Sequence, residues 1–223
     1  MKKTAMLGFL IFGLVSFGSV RGQDLPFDFQ TKFWAPRVEG KFGSVQVQEE
    51  SSLSPSFSLG GIVGRHYVYG ESRLGVRYEE ASFDSDLTVR NAYFDWDGLH
   101  FGSEDLGLTL GGSLRYSQVT ASLPTLSGSV SQTVDSLFPE IRLKGHWKLH
   151  PSFSLEALVE QGLPFDNQNA TTLEASARWK ISRGASLVAG YRKELLEIQD
   201  LGSSDTRADL RMGGPFLAME LRF

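Results

Sequence analysis

The chain of 223 residues contains no cysteine. A disulfide framework, a thiolate zinc site, a cysteine nucleophile and an acylated lipoprotein anchor are therefore all excluded. Excess positive charge is absent too, with 22 basic groups against 26 acidic ones and a formal net charge of −4. That balance argues against a nucleic-acid partner recognised by bulk charge. Beyond the first 22 residues no apolar run approaches the roughly 20 residues that a membrane helix needs. No internal repeat and no long low-complexity tract is found.

The N-terminus carries the one long apolar stretch. Met1-Lys2-Lys3 forms a basic start, Ala5–Gly18 is uncharged and mostly apolar, and Val20-Arg21-Gly22 precedes a possible cut before Gln23. This order reads as a secretory signal peptide over residues 1–22 rather than a buried helix or an anchor. Cleavage removes Lys2, Lys3 and Arg21 and no acid, which deepens the net charge from −4 to −7. An exported chain without membrane helices can enter a membrane only as strands.

What the sequence has in abundance is glycine (24), phenylalanine (16) and a period of two. In 137–148, Leu137, Pro139, Ile141, Leu143, Gly145 and Trp147 share one face, with Phe138, Glu140, Arg142, Lys144, His146 and Lys148 on the other. A strand separates these two sets by face, whereas a helix would mix them. The same alternation runs through 74–79, 108–116, 153–160, 173–181, 187–194 and 217–223. It slips at Val45 and Val47, and in 86–96 both faces are mixed. Ten candidate strands result, at about 37–47, 57–68, 72–83, 86–97, 107–119, 135–148, 152–161, 172–181, 185–196 and 213–223. Short turns alternate with longer polar connections at 48–56, 120–134, 162–171 and 197–212.

Alternating short turns and long loops predict an antiparallel up-and-down transmembrane β-barrel, of ten strands with eight as the alternative. A soluble sandwich also alternates, but two features favour lipid. The polar face carries full charges strand after strand, and the apolar face often ends in an aromatic, as at Tyr78, Tyr116, Trp147, Phe153, Trp179, Tyr191 and Phe223. Aromatic ends suit the girdles at the two membrane interfaces. The expected organisation is a signal peptide at 1–22, a periplasmic lead-in at 23–35 and the barrel at 36–223. Expected lumen charges are Arg37, Glu39, Lys41, Arg77, Glu79, Arg115, Glu140, Arg142, Lys144, Glu174, Arg178 and Arg222. A barrel of about ten strands is narrow, so ion pairs are expected to fill much of its interior.

The segment 213–223 (GGPFLAMELRF) resembles the final strand of bacterial outer-membrane β-barrel proteins, with Leu217, Met219, Leu221 and Phe223 at alternate positions and an aromatic last. The resemblance implies a Gram-negative outer-membrane location, lipid around the barrel, and reading of that row by the barrel-assembly machinery. It implies nothing specific about activity.

Candidate chemistry is sparse. His66, His100, His146 and His150 fall toward the expected periplasmic ends, and only His146 and His150 are spaced four apart, across a strand end. Asp84-Ser85-Asp86, with Asp205 and Asp209, faintly resembles the aspartate-rich ten-stranded outer-membrane proteases, but an outer-loop His to pair with an Asp is missing. Gly60-Gly61-Ile62-Val63-Gly64 lies inside a strand, so it lacks the helix N-terminus of a phosphate cradle. Asn169-Ala170-Thr171 matches a glycosylation sequon, without meaning in a bacterial-type protein. No catalytic, cofactor or metal site is expected, no cofactor is called for, and the chain is expected to be monomeric. The reading is a structural or surface-interaction barrel, with a small pore or ligand-passage channel second and an outer-membrane enzyme third.

Overall fold

The computed structural model describes residues 27–223, except 52, 67–69, 85, 104, 126–127, 164–167 and 200–205. The expected signal peptide, Ser85 and Asp205 therefore lie outside the described residues. Twelve strands follow one another: β1 (Phe27–Trp34), β2 (Arg37–Phe42), β3 (Val45–Glu50), β4 (Ser54–His66), β5 (Gly70–Ser82), β6 (Thr88–Gly102), β7 (Leu106–Thr125), β8 (Gly128–His150), β9 (Phe153–Gly162), β10 (Asn169–Lys180), β11 (Ala185–Gln199) and β12 (Arg207–Arg222). Every pairing is antiparallel, and β1 pairs with both β4 and β12, which closes the sheet.

The closed barrel has ten staves. β1 and β2 lie along the same partner, with Trp34 opposite Phe216 and Arg37 opposite Gly213, so they are two halves of one stave. The ladder breaks between them because Pro36 and Pro215 lack N–H groups. The gap is bridged by Ala35 N donating to Pro215 O (3.1 Å) and Trp34 Nε1 donating to Gly214 O (3.2 Å). Only glycine fits at 214, where a Cβ would come 2.0 Å from the Ala35 carbonyl oxygen. β3 likewise continues upward from β4, and the two lean together through Ser51 N donating to Pro36 O (2.8 Å).

Three expectations are corrected. The lead-in proposed for 23–35 is largely barrel, since Phe27–Trp34 is the closing strand. The single strand expected at 37–47 is a hairpin, whose turn at Gly43-Ser44 uses φ +57° at Gly43 alone, as a type II′ turn requires. The loops expected at 48–56 and 120–134 are mostly strand: β7 and β8 remain paired out to Thr125 and Gly128. Their Ser- and Thr-rich sequence reads as loop, yet hydroxyl side chains such as Thr120 and Thr133 pair across the ribbon at 3.1 Å.

The connections β4–β5, β6–β7, β8–β9 and β10–β11 share one end of the barrel with the start of β1 and the end of β12, here the turn end. The opposite, loop end carries β2–β3, β5–β6, β7–β8, β9–β10 and β11–β12.

Outward-facing residues form an apolar belt. Along β8, Leu137, Ile141 and Trp147 are 56%, 49% and 54% exposed, although all are large hydrophobics. Ten residues separate Leu137 from Trp147, roughly 24 Å of height for a strand tilted near 45°, which matches the apolar band of outer-membrane barrels. The belt includes Phe94, Leu114, Leu155, Leu173 and Met219 on other strands. Its loop-side edge is marked by tyrosines whose hydroxyls donate to carboxylates above, Tyr78 to Glu80 (2.6 Å) and Tyr116 to Asp135 (3.2 Å). Such amphipathic tips belong at a lipid–water boundary.

Candidate functional site: a lumen in two layers

The interior changes character along the barrel axis. At the loop end it is an apolar core: Val38, Phe42, Leu87, Phe138, Leu196 and Leu210 have no measurable exposure. Outside this layer the wall is polar, with Arg37, Glu39, Lys41, Gln46 and Gln48 exposed. The polarity there is that of a soluble protein, because this part of the wall stands above the apolar belt and meets water on its outer face.

This layer corrects the expected lumen list at Arg37, Glu39 and Lys41. In the stave formed by β1 and β2, even-numbered residues point inward, from Lys32 and Trp34 to Val38 and Phe42. The odd-numbered charges therefore point outward, where Arg37 pairs with Glu50 on β3.

Below the apolar layer the lumen is charged. Arg115 and Arg192 both reach Glu194, Arg192 at 2.9 Å, and Arg192 also holds Glu79 at 2.5 Å. Arg77 and Arg142 converge on Glu160 at 2.7 and 2.8 Å. The Arg77 guanidinium lies 3.8 Å over the Tyr93 ring, and Tyr93 donates its hydroxyl to Glu79 (3.2 Å). Asn91 completes the group, donating to Glu194 (3.3 Å) and accepting from Arg115 (3.0 Å) and Ser117 (2.8 Å). All these guanidiniums and glutamates have side chains no more than 8% exposed. Burying arginines is costly unless their donors meet acceptors. This network draws acceptors from β5, β6, β7, β9 and β11, while Arg77 Nε, Arg115 Nη1, Arg142 Nε and Arg192 Nε make no hydrogen bond.

Among these glutamates Glu140 is the least supported. It is buried on the same face, but neither carboxylate oxygen has a hydrogen-bond partner, and its nearest cation atom is Arg115 Nη1 at 3.7 Å. The space left beside Lys32, Trp34, Asn91 and Arg192 is only about 10 Å³, the room of a single water.

Toward the turn end some of the paired side chains become partly exposed. Lys32 meets Glu174 at 2.7 Å, Arg178 is held by Glu156 (2.5 Å) and Glu220, and Lys144 meets Asp97 at 2.5 Å. Arg222 lies at the mouth, half exposed and 3.3 Å from Glu220. Of the sequence-expected lumen charges, Arg77, Glu79, Arg115, Glu140, Arg142, Lys144, Glu174, Arg178 and Arg222 are thus inside or at the mouth. Sequence reading left out Lys32, Asp95, Asp97, Glu160, Arg192 and Glu194. Glu160, Arg192 and Glu194 are on alternating polar faces that were visible in the sequence. Lys32 lay in the supposed lead-in, and Asp95 and Asp97 in the strand of mixed faces.

The histidines stay away from the loop end. His100 and His146 stack at the turn end, with ring centroids 5.6 Å apart, and His150 is the last residue of β8, directly before the turn into β9. His66 is the last residue of β4, at the same end. Asp84 and Asp86 are exposed on the β5–β6 turn at the opposite end, and Asp209 points outward on β12. Among the described residues no group of three His, Cys, Asp or Glu side chains could hold a metal ion. Gly60-Gly61 sits within β4, and Asn169-Ala170-Thr171 opens β10. The row Leu217, Met219, Leu221, Phe223 faces outward along β12.

Comparison with protein-family models and with curated proteins finds no match. Among solved structures the chain is similar to the outer membrane protease OmpT from Escherichia coli, at 8% identity over 93% of this chain and 99% of that one, with a TM-score of 0.56. It is also similar to Neisserial surface protein A, at 15% identity over 88% of this chain and 97% of that one, with a TM-score of 0.47. At such identities the likeness concerns fold alone. Closed antiparallel topology, an apolar outer belt and a charged interior give the chain the fold of the outer-membrane β-barrels. Its ten staves place it among the small barrels, whose interior side chains can fill the lumen.

Proposed function

We propose that the protein is a closed outer-membrane barrel with a structural or surface-interaction role, neither a pore nor an enzyme. The observation that carries this reading is the apolar layer of Val38, Phe42, Phe138, Leu196 and Leu210 above the arginine–glutamate network. A solute would have to cross both layers, and each is packed to its own chemistry. The separation of Asp84 and Asp86 from every described histidine supports a non-catalytic loop end. In this reading the turn end faces the periplasm, the signal peptide is removed, and the row Leu217, Met219, Leu221, Phe223 is read by the barrel-assembly machinery. The finished barrel is a monomer held by outer-membrane lipid.

The test is conductance of the purified protein in a planar bilayer. The closed-barrel reading predicts no steady current steps at physiological salt. Reproducible steps with a fixed unit conductance would favour the second reading, a small pore.

A further inference from the structure

We infer that the loop end carries a docking edge for an extended, basic segment of a second polypeptide, which adds as a strand to β3. The inference rests on the surface-interaction reading and names the surface.

The rim of the barrel is uneven. β5 ends at Ser82 and β6 begins at Thr88, and the last contact of the neighbouring stave with this turn is the bridge between Ser51 and Phe83. Beyond that bridge, Val45–Glu50 pairs with β2 on one side and, among the described residues, with no strand on the other. Across the notch, β7 loses its β6 partner after Thr120, while it continues to Thr125 on β8 alone. From β3 to β7 is three strand spacings, roughly 14 Å. Among the described residues, two strand positions of the wall above the β5–β6 turn are thus unfilled.

The backbone of β3 is set to accept a strand. With a two-residue turn, Phe42 and Val45 form the hydrogen-bonded closing pair of the hairpin. Alternation then turns the amide and carbonyl groups of Gln46 and Gln48 away from β2, into the notch. Natural edge strands are blunted by proline, lysine or a bulge. Val45-Gln46-Val47-Gln48 has none of these, and its Val/Gln alternation favours pairing. The opposite edge does carry a proline, Pro124, which removes one donor and makes β3 the better template.

Charge selects the occupant. Asp84 and Asp86 stand exposed on the floor of the notch with no ion pair among the described residues. Two cations on adjoining strands are engaged elsewhere, Arg90 with Glu80 at 3.2 Å and Arg37 with Glu50. An added strand that alternates apolar and basic residues would extend the inward row of Val45 and Val47 and bring its cations to the two aspartates. Main-chain pairing gives such complexes affinity, and alternate side chains give them selectivity.

The test uses the barrel in phosphatidylcholine nanodiscs and a labelled ten-residue peptide of alternating Lys and Val, with an alternating Glu and Val peptide as control. Saturable anisotropy binding of the lysine peptide is expected, at least tenfold tighter than the control and weakened by salt. Gln48→Pro removes only the outward N–H, leaves the β2 ladder intact, and should weaken binding at least tenfold. Asp84→Asn with Asp86→Asn should remove most of the salt dependence. Should the proline variant not fold, hydrogen exchange on the wild type decides: the peptide should slow the Gln46 and Gln48 amides. Equal binding to Gln48→Pro, equal binding of the glutamate peptide, or protection appearing at 121–125 instead would overturn the inference. A barrel that neither conducts nor binds the peptide keeps the closed-barrel reading and loses the edge. A barrel that conducts and still binds through Gln48 keeps the edge and loses that reading.

Discussion

Arg115 and Glu194 meet in the middle of the lumen, 79 residues apart in the chain and both without solvent exposure. Their pairing joins β7 to β11 across the barrel, which no backbone ladder does. Arg115 also touches Asn91 and Ser117, and Glu194 also takes Arg192, so the pair is the hub of the charged layer.

Arg115→Met is therefore expected to destabilise the folded barrel by about 3–5 kcal/mol, because it strands Glu194 as a buried, under-compensated charge. Adding Glu194→Gln to that variant should recover part of the loss, since the second change removes the stranded charge. Urea unfolding from lipid vesicles measures both.

Glu140 and Glu194 are equally buried yet should respond differently. Glu140→Gln removes no hydrogen bond and should change stability by less than about 1 kcal/mol, whereas Glu194→Gln weakens bonds to two guanidiniums and should cost about 1.5–3 kcal/mol. A cost at Glu140 as large as that at Glu194 would mean its carboxylate is held through ordered water.

Depth along the outer wall should decide the cost of an outward charge. Ile141→Arg, in the middle of the apolar belt, is expected to cost about 2–4 kcal/mol. Ser131→Arg, exposed on the outward row of the ribbon above the belt, should change stability by less than about 0.5 kcal/mol. The comparison is made in the same vesicle unfolding experiment.

The apolar layer should behave like the core of a soluble protein. Phe138→Ala removes a fully buried ring and is expected to cost about 3–5 kcal/mol. Thermal unfolding in detergent would register it as a lower midpoint with the sheet content unchanged before the transition.

The architecture was legible in the sequence because the apolar belt imposes a strict period of two, clearest in Leu137–Trp147. The misassigned faces share one physical cause, which is that the meaning of the alternation reverses along the axis. Within the belt the charged row is inside; above it the charged row is outside, as at Arg37, Glu39 and Lys41. β6 reads as mixed for the same reason. Its inward row descends from Val89 in the apolar layer through Asn91 and Tyr93 to Asp95 and Asp97 in the charged one. The first strand was present as Phe27, Phe29 and Phe33 alternating with Asp28, Gln30 and Lys32, but proximity to the export segment drew it into the lead-in. The partners of Arg115 and Arg77 could not be read, because they come from strands 79 and 83 residues away.

The two-layer interior is tested most directly by a single-site spin-label scan of β8 from 130 to 148, which the absence of native cysteine makes clean. Relaxation is read with oxygen as the lipid-soluble quencher and a nickel chelate as the aqueous one. The account predicts that 137, 141, 143 and 147 respond to oxygen alone, that 131 and 133 respond to nickel, and that 134 and 138 respond to neither. Strong nickel accessibility at 134 and 138 would show an open, water-filled lumen and contradict the closed barrel.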